Sequence, residues 1–201
     1  MSASPVADEP TDEQVHRPPS KTRSTVEWIV VIGGAVIVAF IIKTFVMQAF
    51  FIPSGSMEPT LAVDDRVLVN KLSYRFGEPE RGDIVVFARP ETSPRTGDDI
   101  EDLIKRIVGL PGDSIVIENG KVAVNGAVLD EAYLPAGTVT QNGILPCTAA
   151  APCEVPEGEI FVMGDNRGNS QDSRYIGTIE ESTIVGEAFV RIWPLSRAGG
   201  L

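Results

Sequence analysis

Histidine is almost missing from this chain. Its 201 residues contain a single one, His16, in a polar N-terminal stretch. A Ser-His-Asp triad inside the remaining sequence is thereby excluded. A histidine-based zinc site is excluded with it, since only Cys147 and Cys153 remain to complete one. Basic charge is scarce as well: 17 Lys and Arg stand against 28 Asp and Glu, a formal net charge of −11. No basic patch of the kind nucleic acid demands is visible, so neither DNA nor RNA is expected as a partner. Lysine is rarest where a fold is expected. Beyond residue 50 there are three, Lys71, Lys105 and Lys121.

Residues 1–24 hold four prolines and almost no large apolar side chains. Such a segment buries too little surface to offset the entropy of ordering, and a disordered tail is expected. Trp28 to Ile42 carries no charge, and the apolar character continues past Lys43 to Ile52. A helix needs about 20 apolar residues to span a bilayer, so a single transmembrane helix is expected over residues 25–50, with the lipid bilayer as a partner. Phe51-Ile52-Pro53, rather than small residues, follows the run; that argues for a retained anchor over a cleaved leader. Arg17, Lys21 and Arg23 precede it, and Asp64 and Asp65 follow. The positive-inside tendency puts the tail in the cytoplasm and residues 51–201 outside, as a single-pass cell-membrane protein.

From Val67 onward the pattern is short apolar runs divided by Gly, Pro, Asn and Asp: RVLVNKL, DIVVFAR, DLIKRIVGL, SIVIENG, KVAVNGAVL, EIFVMGD and EAFVRIW. These read as strands, with a hairpin turn at Asn119-Gly120. The fold class expected is mostly β, antiparallel, as a sandwich or partly open barrel. Cys147 and Cys153 lie six residues apart in a Pro- and Ala-rich loop. Outside the membrane they either pair or remain free thiols.

Three stretches carry chemistry. Pro53-Ser54-Gly55-Ser56-Met57 sets a serine behind a glycine, where a tight turn would expose its hydroxyl and a backbone N–H. A serine needs a base, and without histidine a neutral lysine is the usual substitute. Burial lowers a lysine pKa by several units. Lys71 and Lys121 sit at strand and turn ends. Lys105, in Leu103-Ile104-Lys105-Arg106-Ile107-Val108, shares a strand face with Leu103 and Ile107. The same pattern fits an edge-strand lysine that blocks aggregation. The third stretch, Met163 to Gly177, is dense in hydrogen-bonding side chains. Asp165, Asn166, Arg167, Asn169, Ser170, Asp172, Ser173 and Arg174 form a fixed network in one reading. In the other, Asp165, Asn169 and Asp172 ligate calcium, a reading that Arg167 and Arg174 oppose; no metal is expected.

PSGSMEPTL, KRIVGLPGD and GDNRGNSQDSR, in this order, resemble the bacterial type I signal peptidases, serine-lysine membrane proteases that remove signal peptides from exported preproteins. The resemblance covers roughly residues 26–195. It implies Ser56 as nucleophile and Lys105 as general base, with no metal or organic cofactor. It implies Ser54 beside the Ser56 N–H as oxyanion hole, Ser170 orienting the lysine, and Asp172 and Arg174 supporting that loop. Phe50, Ile52, Met57, Leu61 and Ile104 fall where the family lines the small apolar pockets that select Ala-X-Ala before the cut. The β catalytic domain would span 51–197, with a reduced inserted subdomain around 119–160 that holds the cysteines. The rival reading is a membrane-tethered β domain that binds peptides without cutting them.

Overall fold

The structure is a computed structural model that describes residues 21–91 and 101–201. His16 and most of the expected tail lie outside the described residues. The chain divides at residues 40 and 41 into two compact units.

The first unit contains nearly all of helix α1, Lys21–Ile41. Its start corrects the expected tail boundary, because residues 21–24 are already helical. Apolar side chains from Val26 to Phe40 are exposed on it. Its end corrects the expected helix over 25–50. The chain leaves α1 through a π-type turn, Ile42–Val46, and enters strand β1, Met47–Phe51. A continuous apolar run does not distinguish helix from strand by periodicity. What decides here is partnership: β1 pairs antiparallel with β2 (Arg66–Asn70), from Met47↔Asn70 to Phe51↔Arg66. Among the described residues no helix is long and apolar enough to cross a membrane, so the fold alone does not establish the expected span.

The second unit holds two antiparallel sheets. The larger uses β1, β2, β3 (Ile84–Ala88), β4 (Asp102–Gly109), β9 (Glu159–Met163), β10 (Ile179–Glu180), β11 (Ile184–Trp193) and β12 (Gly199–Gly200). Their order is β1-β2-β11-β3-β4-β9-β10, with β12 added to β11. The smaller, in the order β7-β6-β5-β8, is inserted between β4 and β9. It comprises β5 (Ser114–Glu118), β6 (Lys121–Val124), β7 (Ala127–Val128) and β8 (Cys153–Glu154). Two Asn-Gly turns fold it: Asn119-Gly120 and Asn125-Gly126 all have positive φ, the geometry that lets a two-residue loop follow the strand twist. Cys147 and Cys153 form a disulfide that ties the long return loop to this sheet. Helices α2 (Ser73–Phe76) and α3 (Ser173–Ile176) are single turns. The expected mostly β, antiparallel class is what is found.

Alternation along β4 distributes its side chains among the cores. Ile104 packs with Ile52, Met57, Leu61, Val67 and Val86. Leu103 and Ile107 pack with Val85, Phe87, Ile160 and Val162. Val108 joins the core over the small sheet, with Ile115, Phe161 and Met163. Lys105 stands opposite Val85 in the β3–β4 pairing, flanked by apolar strands.

Candidate active site

Gly55–Met57 forms one tight turn between β1 and β2, with Ser56 and Met57 buried. Lys105 Nζ donates to Ser56 Oγ at 2.8 Å and to the Ile104 carbonyl at 2.9 Å. The lysine is 4% exposed. Burial pushes its pKa from 10.5 down to about 8; Arg89 pushes the same way, while Asp172 and Asp165 pull it back up. The cause is the cost of an ammonium out of water, and its direction favours the neutral amine. An exposed edge lysine, the bland alternative, is not what β4 carries. Ser54, at the mouth of the turn, is exposed, and its hydroxyl lies 3.4 Å from Ser56 Oγ.

The loop after β9 closes over this turn. Asn166 N donates to Ser56 O at 3.1 Å, and Asn166 Nδ2 to Gly55 O at 2.9 Å. Gly164 admits no side chain: a Cβ there would lie 2.4 Å from Ser56 O and 2.2 Å from Ser170 Oγ. Ser170 is buried beside it, and its hydroxyl has no hydrogen-bond partner among the described residues. The bond to Lys105 expected of it is not made here; the amine is engaged by Ser56 and Ile104 instead.

Buried ion pairs hold this loop. Asp172 receives both Nε and Nη2 of Arg174, each at 2.8 Å. It also accepts from Gly164 N at 3.0 Å. Arg174 Nη1 donates to the carbonyls of Arg167 and Gln141. Asp165 is gripped by Arg106 at 2.7 and 2.9 Å and also accepts from Thr60. Bidentate pairing of this kind fixes geometry as well as charge. Both carboxylates of the calcium reading are therefore already taken by guanidinium groups. Among the described residues no three Cys, His, Asp or Glu side chains gather around a common point.

The Arg106–Asp165 pair is a feature that sequence reasoning missed. Period-two alternation along β4 puts Arg106 on the face opposite Lys105 and says nothing of its partner. Its neighbour Lys105 donates to Ser56 Oγ, while Arg106 anchors the loop through Asp165, its guanidinium 4.0 Å from the Tyr133 ring. Opposite charges in two motifs 59 residues apart were the available signal. Arg167 reaches the small-sheet excursion through Thr140, Tyr133 and Glu131. Of the residues expected to line pockets, Ile52, Met57 and Leu61 are fully buried, and Phe50 and Ile104 partly so, in one apolar cluster. Cys147 is buried in the core of the small sheet.

Residues 25–193 match the family described as signal peptidase, peptidase S26. The chain is 46% identical over 165 residues to a probable signal peptidase I-2 of Synechocystis sp., covering 82% of this chain and 72% of that one. It is 40% identical over 201 residues to a signal peptidase I of Leptolyngbya laminosa, covering 100% and 95%. A solved signal peptidase I from Enterococcus faecalis V583 is 34% identical and covers 55% of this chain and 96% of its own, with a TM-score of 0.42. A Ser–Lys dyad is typical of the family. With a match across most of its length and relatives of this identity, the chain belongs to the signal peptidase family, peptidase S26.

Proposed function

We propose that Ser56 and Lys105 are the dyad by which this chain, a serine endopeptidase, removes signal peptides from exported preproteins. The observation that carries the reading is the 2.8 Å contact between Ser56 Oγ and a lysine buried deeply enough to lose its proton near pH 8.

Neutral Lys105 takes the Ser56 proton as Oγ attacks the carbonyl that ends the signal peptide. The tetrahedral oxyanion is met by the Ser56 N–H and the Ser54 hydroxyl. The lysinium protonates the leaving amine, and an acyl-enzyme remains. Lys105 then draws a proton from water, which releases the signal peptide. Ser170 is the orienting residue in this reading. Its buried, unpartnered hydroxyl is the group available to the amine when it leaves the Ile104 carbonyl. Asp172 and Arg174 hold that hydroxyl in place. The tight apolar cluster of Phe50, Ile52, Met57, Leu61 and Ile104 supports a preference for small residues, cutting after Ala-X-Ala.

α1 is the single-pass anchor of the reading, with the N-terminus cytoplasmic and the β domain outside. The uncharged run Trp28–Ile42 and the exposed apolar surface of α1 support it. An anchor at the surface where substrates emerge raises their effective concentration. Intact protein should stay with membranes through alkaline carbonate extraction; release into the supernatant would remove the anchor from the reading.

The dyad is tested with intact protein, Ser56→Ala and Lys105→Ala in detergent micelles, on a preprotein whose signal ends in Ala-X-Ala, with products mapped by mass spectrometry. Cleavage after the second alanine by the parent alone is expected. An active, folded Lys105→Ala protein would show that the base is another group.

A further inference from the structure

In the reading above the main oxyanion donor is the Ser56 N–H. That N–H belongs to the Gly55–Ser56 peptide unit. Because the unit is planar, the direction of the Gly55 carbonyl fixes the direction of the Ser56 N–H. Whatever holds Gly55 O therefore aims the donor.

Two groups hold it. Glu58 N, at 3.2 Å, closes the tight turn from within. Asn166 Nδ2, at 2.9 Å, comes from 111 residues further along the chain. The same Asn166 donates its backbone N–H to Ser56 O at 3.1 Å. One residue thus grips both peptide units that flank the Ser56 Cα, one through its side chain and the other through its main chain. Asn166 is itself fixed from both directions. Its carbonyl accepts from Asn169 N at 2.9 Å. Two residues earlier, Gly164 lies so close to Ser56 O that no Cβ fits. Hydrogen bonds in series polarise one another, so a donor on Gly55 O also makes the Ser56 N–H a better donor.

The geometry points to Asn166 as a positioning residue for the oxyanion site: its side-chain amide orients and polarises the Gly55–Ser56 peptide so that the Ser56 N–H faces the developing charge. This rests on Ser56 being the nucleophile. It concerns transition-state stabilisation and leaves the proton affinity of Lys105 alone.

The test uses intact protein in detergent and the variants Asn166→Ala and Asn166→Asp. Each is assayed for kcat and KM on a preprotein, for the pH midpoint of activity, and for binding of two probes. One is a peptide aldehyde ending in Ala-X-Ala. Ser56 Oγ adds across its C=O, the Ser56 proton passes to Lys105, and the former carbonyl oxygen becomes an alkoxide in the oxyanion site. The other is a peptide of the same sequence extended past the cut, with its scissile amide reduced to methylene-amine, which fills the site without forming an oxyanion.

Removing one direct oxyanion donor costs about 10²–10³ in kcat; misaiming a donor should cost less, roughly 10-fold for Asn166→Ala. KM, the pH midpoint and reduced-peptide binding should stay within twofold, while aldehyde affinity falls with kcat. Asn166→Asp keeps the shape but turns the donor into a second acceptor facing Gly55 O, so it should be slower than Asn166→Ala. A parental kcat in both variants, an aspartate variant faster than the alanine one, or equal losses for both probes would overturn the inference, as would failure of both variants to fold, which would make Asn166 a residue of the fold alone. Ser56→Ala runs alongside. If it still cuts, the nucleophile assignment itself falls, whatever Asn166 does.

Discussion

Two buried cations a short way apart meet opposite fates. Arg174 is 1% exposed and Lys105 is 4% exposed. Arg174 is received by both oxygens of Asp172 and by two backbone carbonyls. Among the described residues Lys105 has a hydroxyl and one carbonyl, and no carboxylate within hydrogen-bonding distance. Burying a charge is tolerable when it is paired and hydrogen-bonded, and otherwise the group sheds its proton. The guanidinium cannot do so in a protein, which suits it to fixing a loop. The amine can, which suits it to moving a proton. The loop from Met163 to Gly177 matches its buried charges with partners, and the β4 lysine beside it is left short of one.

The contrast breaks most severely at Asp172. Asp172→Ala leaves Arg174 buried and unpaired, and removes the cap that accepts Arg174 N at the start of α3. Breaking a buried pair from one side costs about 3–5 kcal/mol. Urea unfolding of the intact protein in detergent should show that loss; a change under 1 kcal/mol would mean that Arg174 finds other partners.

Lys105→Met should act in the opposite direction. Depression of the amine from 10.5 to about 8 corresponds to roughly 3 kcal/mol of stability forgone. Because the folded value lies below the unfolded one, the unfolded chain binds the extra proton. The parent is therefore most stable above pH 10.5, loses this stability as pH falls from there to about 8, and has lost it in full below the folded value. The methionine variant should be inactive yet more stable at pH 7, its advantage shrinking as pH rises between 8 and 10.5. An equal advantage at both pH values would mean that packing, not charge, is responsible.

The disulfide sharpens the comparison by standing outside it. Replacing Cys147 and Cys153 together by serine should cost about 2 kcal/mol on the chain-entropy model of so short a loop. The pH midpoint of cleavage should not move, because neither sulfur touches the charges around Lys105. A moved midpoint would make the small sheet a participant in setting the lysine.

The smallest effect is electrostatic. Activity should rise with pH, with a midpoint near 8, as Lys105 loses its proton. Arg89 helps to hold that value down, so Arg89→Gln should move the midpoint upward without removing activity. A downward shift in the pH–rate profile would show that Arg89 does not act on Lys105 through its charge.

Part of this geometry is legible in the sequence alone. Counting lysines beyond residue 50 left three, and period-two alternation separated Lys105 from the two that sit at turns. The Asn119-Gly120 hairpin declared itself through its turn residues, because few others accept positive φ at both positions. Other features were out of reach for physical reasons. Residues 47–51 are as apolar as the helix before them, and only a pairing partner elsewhere in the chain makes them a strand. Alternation assigns Arg106 to a face but does not say that Asp165 waits there, since that contact depends on how β4 and β9 come together. Ser170 was readable as a neighbour of the site, but not as a hydroxyl without a partner. Hydrogen-bond satisfaction is a property of the assembled loop and is written in no single motif.

Gly164 leaves the machinery with no slack. Its α-carbon hydrogen occupies a gap between the Ser56 carbonyl and the Ser170 side chain that is narrower than one methyl group. A single added carbon would act there as a wedge, displacing the turn that carries Ser56 and the Ser170 side chain in one stroke. The clearance between the Ser56 turn and Ser170 is thus set by a single hydrogen, and the tolerance of the whole site to sequence drift is limited at a position with no side chain to vary.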